Sequence, residues 1–272
     1  MLSWSSLADY ESCPEKFRLR KIENAPQAPS WSALGGSAVH TVTEALDHLD
    51  FGVDSTHPVT FDAALDEQVA QAETREDCPP RADWHRAGRP SKANPNKEDE
   101  AWWRENGPHF VMNWRNWLQR SPLTIATLPD GTPAIEISVT GTVGGVPVRG
   151  YIDRVMTDSK SGALLALDLK SGARTPTQSG QLKTYASLLF QTLGMVTDWG
   201  CYFMAREGLA TPPAPLSDRA ALNHEYATAW KGIQAGIFLP NRGPLCGSCS
   251  VKRWCVFGGD ADPRFAPYSN AA

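Results

Sequence analysis

The chain has 272 residues, 41% hydrophobic and 21% charged, with a formal net charge of −4, an ordinary composition for a globular protein with a sizeable core. No apolar run is long enough to span a bilayer, and the first residues, MLSWSSLADYESCP, lack the basic stretch of a signal peptide, so a cytoplasmic protein with no membrane partner is expected. The acidic balance argues against a broad basic surface coating nucleic acid, although acidic metal ligands would themselves lower the net charge.

Residues 2–22 predict two short helices broken at Cys13-Pro14, with Ser3 as the first cap and Pro14 in the first turn of the second. The second carries Lys16, Arg18, Arg20 and Lys21, read most simply as a solvated face. A Pro/Ser/Trp linker leads to Gly35-Gly36, which opens a helix over about 37–49 with Val39, Val42, Leu46 and Leu49 as its buried stripe. His40 lies beside that stripe, one turn before Glu44. From about 51 to 121 the composition shifts toward Pro, charge and Trp. It predicts a helical insert: a helix over 61–74, a loop to about 97, and helices over about 98–106 and 109–119 broken at Gly107-Pro108. The tryptophans of this region are expected in the core rather than stacked on bases.

Next come β-strands over 134–142, 146–156 and 163–170, with Ile135, Ile137 and Val139 alternating with Glu136 and Ser138. In the last strand Leu165, Leu167 and Leu169 share one face, and Ala166, Asp168 and Lys170 the other. An acid and a lysine ending an apolar strand are costly to bury unless paired or metal-bound. Asp153 stands in the neighbouring strand, so two carboxylates and a lysine would meet as a divalent-metal site. An isolated structural ion pair is the plainer account of an Asp-x-Lys tripeptide alone. A helix over about 178–193 places Gln181 and Tyr185 on one face. A strand over 199–206 and a helix over about 217–235 follow.

Six cysteines without a secretory signal point to metal or redox use. Cys246-x2-Cys249-x5-Cys255 is a compact ligand spacing that lacks a fourth sulfur for either zinc or [4Fe–4S]. Cys13, at a helix break, is the best candidate; Cys78 and Cys201 compete. Spacing alone leaves iron and zinc open. Closure through Cys13 would bring Lys16, Arg18, Arg20 and Lys21 near Lys252, Arg253 and Trp254 as a basic-aromatic DNA patch.

Together LSWSSLADYESCP, GGSAVH, Glu136, GYIDRV, DLKSG, QLKTY and CGSCSVKRWC resemble, in order, the RecB-like branch of the PD-(D/E)XK nucleases. They resemble more particularly its iron–sulfur members: CRISPR-associated RecB-like exonucleases, phage relatives and the AddB nuclease domain. The resemblance implies an α/β fold with a mixed central β-sheet flanked by helices (a restriction-endonuclease-like core), a helical insert over 51–121, and an iron–sulfur module formed by 1–22 and 240–258. It implies a metal-dependent DNA exonuclease, hydrolysing phosphodiesters from single-stranded ends. His40, Asp153, Asp168 and the Leu169 carbonyl would hold Mg²⁺ or Mn²⁺. Lys170 would position the attacking water or neutralise charge developing on the phosphate, Gln181 and Tyr185 would orient the lysine or grip the DNA backbone, and Glu136 would support the metal from behind or bind a second one. Cys13, Cys246, Cys249 and Cys255 would hold a [4Fe–4S] cluster. Ile152 stands where the motif's name has proline, a pattern common among RecB-like members. A CRISPR pre-spacer nuclease and a non-catalytic zinc-stapled DNA-binding module are the alternatives. Ring assemblies occur among relatives, but the sequence carries no interface signal.

Overall fold

The computed structural model describes residues 1–75, 78–92, 95–258 and 265, so parts of the loop expected up to residue 97 lie outside the described residues. The helices are α1 Trp4–Ser12, α2 Pro14–Phe17, α3 Trp31–Asp50, α4 Phe61–Glu73, α5 Glu100–Arg120, α6 Gly180–Leu193 and α7 Ala220–Gln234. The strands are β1 Leu123–Ile125, β2 Ile135–Val143, β3 Val146–Asp158, β4 Leu164–Lys170, β5 Thr197–Met204, and the two-residue β6 Leu209–Ala210 and β7 Ala214–Pro215.

β3 is the hub of a mixed sheet. Its first part pairs antiparallel with β2 and its end with β1, while β4 pairs antiparallel along its other side. β4 and β5 run parallel, so their connection must cross back over the sheet, and α6 makes that crossing. β6 and β7 both pair antiparallel with β5. The α/β architecture implied by the motifs is therefore present.

Side-chain alternation assigns each face of the sheet a helical layer. Leu165, Leu167 and Leu169 of β4 pack with Val39, Leu65, Trp103 and Trp114 from α3, α4 and α5. Ala166 on the opposite face joins Leu182, Tyr185 and Leu188 of α6, with Leu7 of α1 and Tyr226 of α7. Trp84, Trp103 and Trp114 are almost wholly buried, so the tryptophan-rich segment is core. A third, smaller cluster of Leu19, Ala25, Val251 and Trp254 joins the two ends of the chain. The Ala28 N–H donates to the Ser250 carbonyl and the Trp254 indole to Pro26.

Two helical boundaries differ from the sequence expectation, and packing explains both. α3 begins at Trp31, so Gly35-Gly36 lies inside the helix rather than before it. A Cβ at Gly35 would collide with the Trp103 ring; glycine is there for close helix approach. α5 continues through Gly107-Pro108 without a break, although an interior proline costs about 3 kcal/mol. Trp103, Phe110, Val111 and Trp114, from both sides of Pro108, bury one shared face, and the Phe61 ring occupies the space that a side chain at 107 would need. The three-residue β1 was not foreseen; its length carries no periodicity to read.

Candidate active site

Ser3 caps α1 by accepting from the Ser6 N–H at 3.1 Å, and the start of α1 forms one wall of a cleft of about 800 Å³. α3, β2, β3, β4 and α6 complete it, bringing His40, Glu136, Asp153, Asp168, Leu169, Lys170, Gln181 and Tyr185 to one place. β3 and β4 are registered as far as Arg154↔Leu167; Asp153 and Asp168 each stand one residue further, where the paired ladder stops.

Three donors lie close together. His40, Glu136 and Asp153 each offer a ligand atom within 4.8 Å of the others; His40 Nδ1 is 3.6 Å from Glu136 Oε1 and 3.7 Å from Asp153 Oδ2. His40 Nε2 donates to the Leu169 carbonyl at 3.1 Å, and the Leu169 N–H donates to Asp153 Oδ2 at 2.6 Å. Glu136 sits in β2 with φ of 45°, a left-handed conformation rare for a residue with a side chain and commonest at functional sites.

Asp168 faces this trio from a separate hydrogen-bonded group. Its Oδ2 lies 2.6 Å from Lys170 Nζ, yet has no aligned hydrogen-bond donor. Gln181 Nε2 donates to Asp168 Oδ1 at 2.6 Å, and Tyr185 OH donates to the same oxygen at 3.2 Å. Lys170 Nζ donates to Gln181 Oε1 at 3.0 Å. Gln181 and Tyr185, one turn apart on α6, thus hold the acid and the lysine in fixed relation.

The crowding shifts the acid–base equilibria of these groups. Burial, then the Asp168 carboxylate, raises Asp153 to about 7 against the pull of His40. Burial opposes a charged imidazole at His40, but Asp153, Glu136 and Asp168 outweigh it and lift it to about 9. Burial also opposes the Glu136 charge, yet His40 and Arg154 hold that carboxyl below its usual range. Burial and Asp168 push Tyr185 well above 10, keeping its hydroxyl a donor. Two buried acids, a third carboxylate and an imidazole fit a hard divalent cation; the imidazole also suits Mn²⁺.

The sequence reading missed the group beneath the trio. Arg154 is buried, donating through Nε to Asp47 Oδ2 at 2.8 Å, and through Nη1 to Glu136 Oε1 at 3.2 Å and to the Asp153 carbonyl at 2.6 Å. The Trp114 indole donates to both Asp47 oxygens, at 3.1 and 3.0 Å. Asp47 stands two turns beyond His40 on α3, and Arg154 follows Asp153. Those positions were the available signals.

Six cysteines are free. Cys13, Cys246, Cys249 and Cys255 line one cavity, whereas Cys78 and Cys201 belong to the α3–α5 side of the core. Among the described residues no three of the four sulfurs fall within 4.8 Å of one another. The basic patch expected at the joined ends is largely neutralised. Arg18 is buried on Glu15 at 2.7 Å, and Lys16 and Arg20 pair with Asp9 at 2.8 and 2.5 Å, because the N-terminal helices supply their own acids. Lys21 instead lines the active-site cleft. Among the described residues no helix is long and apolar enough to cross a membrane.

Comparison with known proteins gives the family of the chain. The chain is 30% identical over 280 residues to the Gene 69 protein of Mycobacterium phage D29, covering 93% of this chain and 95% of that protein. It is 26% identical over 295 residues to the Gene 69 protein of Mycobacterium phage L5, with the same coverage of each chain. A solved structure from Eubacterium rectale, described as a candidate exonuclease, aligns with a TM-score of 0.46 at 12% identity, over 91% of this chain and 86% of that one. The profile of the PD-(D/E)XK nuclease superfamily matches residues 1–256, and the chain belongs to that superfamily.

Proposed function

We propose that the protein is a metal-dependent DNA exonuclease, hydrolysing phosphodiester bonds from single-stranded ends in the cytoplasm during recombination, repair or replication. The observation that carries the reading is the convergence of His40, Glu136, Asp153, Asp168 and Lys170 on one cleft. His40, Asp153 and Asp168, with the Leu169 carbonyl and Glu136 at hand, would hold Mg²⁺ or Mn²⁺. The ion would supply Lewis acidity and a water acidified toward neutral pH.

This chain's own residues do the rest. Lys170 neutralises charge developing on the phosphate. Gln181 fixes Lys170 against Asp168 through the bonds at 3.0 and 2.6 Å, so the ammonium reaches the phosphate without reorganising. Tyr185 donates to Asp168 and holds that carboxylate toward the cleft. Arg154 fixes the Glu136 side chain and the Asp153 backbone from below.

We further assign Cys13, Cys246, Cys249 and Cys255 to a [4Fe–4S] cluster that staples the two ends of the chain. Their shared cavity is what supports this. The exonuclease reading is tested with linear and circular single-stranded DNA in Mg²⁺ or Mn²⁺. Linear DNA should shorten progressively from an end while circles persist; nicking of circles at a comparable rate would replace it with an endonuclease.

A further inference from the structure

The cleft holds more than the trio and the lysine. Arg149, Tyr151 and Asp153 alternate along β3, so all three project from one face of the strand, and all three line the cleft. At ~3.4 Å per residue, Tyr151 stands roughly 7 Å and Arg149 roughly 14 Å from Asp153. The row runs from solvent into the acidic site.

Two properties meet in this row inside the cleft. Tyr151 is 56% exposed, an aromatic ring left open where burial would be worth most. Its cross-strand neighbour is Ser138, and that of Arg149 is Thr140, both exposed and too small to cover the pair. The second property is charge without a partner. Arg18, Arg20, Arg104, Arg115, Arg154 and Arg206 all meet carboxylates. Arg149 and Lys21 are exposed and line the cleft, and their side chains have no ion pair or hydrogen bond among the described residues. Cations left free in an otherwise acidic cleft are placed for an anionic ligand.

We infer that Arg149, Tyr151 and Lys21 form a binding lip that seats a single nucleic-acid strand along β3. A base stacks on the Tyr151 ring, and backbone phosphates meet Arg149 and Lys21, so the following phosphate lies at Asp153 and Lys170. Stacking suits any base but needs a base freed from its pair, so the lip selects single-stranded over duplex DNA at the site itself. This inference rests on the nuclease reading above.

The test is fluorescence anisotropy with a labelled oligothymidylate and a blunt duplex, in chelator so that no cleavage intervenes. Tyr151→Ala should weaken single-strand binding about tenfold, from the loss of one stacked base, with a smaller effect on the duplex, and Tyr151→Phe should restore it. Arg149→Ala should weaken binding and reduce the slope of log Kd against log salt by about 0.7, one phosphate contact on a single strand. Wild-type single-strand affinity in both variants, or equal losses on strand and duplex for Tyr151→Ala, would overturn the lip. A wild-type protein that cleaves DNA while the variants bind normally removes the lip alone. A wild-type protein that neither binds nor cleaves DNA removes the nuclease reading and the lip with it.

Discussion

Asp47 touches no proposed metal ligand, yet the site depends on it. Its side chain is fully buried, 2.7 Å from Arg154 Nη2 and 2.8 Å from Nε, and it also accepts the Trp114 indole. Asp47→Ala leaves the Arg154 charge buried with only the half-buried Glu136 carboxylate and the Asp153 carbonyl as hydrogen-bond partners. Breaking a buried pair from one side costs about 3–5 kcal/mol, a large share of the roughly 5–15 kcal/mol that holds a domain together. At ~2–4 °C per kcal/mol for a chain of this size, a loss of about 4 kcal/mol lowers Tm by roughly 8–16 °C. The paired substitution Asp47→Leu with Arg154→Met removes both charges together, which buried pairs tolerate, so part of the stability should return, less about 1–3 kcal/mol for the Trp114 indole left without its acceptor. Manganese affinity should not return. Glu136 and the Asp153 carbonyl lose the guanidinium that fixes them, and loss of such an outer partner costs about 10–100-fold in metal binding. Calorimetric melting and manganese titration separate the two effects. A double variant as unstable as Asp47→Ala, or one with wild-type manganese affinity, would refute the reasoning.

Two further outcomes follow from the titrations. Manganese must displace protons from His40, lifted to about 9, and from Asp153, lifted to about 7. Affinity should therefore rise with pH, with two protons released below about 7 and one between about 7 and 9; affinity independent of pH over that range would contradict the assignment. Burial pushes the Cys201 thiol up to about 11, so it should resist alkylation in the folded protein. Cys13, Cys246, Cys249 and Cys255 should be alkylated after iron is removed and protected in brown, anaerobically purified protein; a colourless zinc protein would replace iron with zinc.

Much of the site was legible because its residues are close in sequence or recur at fixed spacing. Asp168 and Lys170 are two apart on a strand, Gln181 and Tyr185 four apart on a helix, and Asp153 sits in an alternating segment where a carboxylate is out of place. His40 was legible only as a member of a motif set. Glu136 was undervalued because its place in the trio depends on a left-handed backbone that alternation does not encode. The Asp47–Arg154 pair joins residues 107 positions apart, and neither has a local pattern that marks it as buried. The helix boundaries at Gly35-Gly36 and Gly107-Pro108 were misplaced for a related reason. Propensity there favours a break, and Trp103 and Phe61, distant in sequence, supply the packing that overrides it.

The central claim is that this cleft hydrolyses DNA with a divalent ion, and one assay addresses it directly. End-labelled single-stranded DNA is incubated with wild type, Lys170→Ala and Asp153→Asn, each with Mg²⁺, Mn²⁺ or chelator. Wild type should shorten the strand only with metal, and either substitution should slow cleavage by at least about 10²-fold while the protein stays folded. Cleavage in chelator, or equal cleavage by all three proteins, would contradict the account.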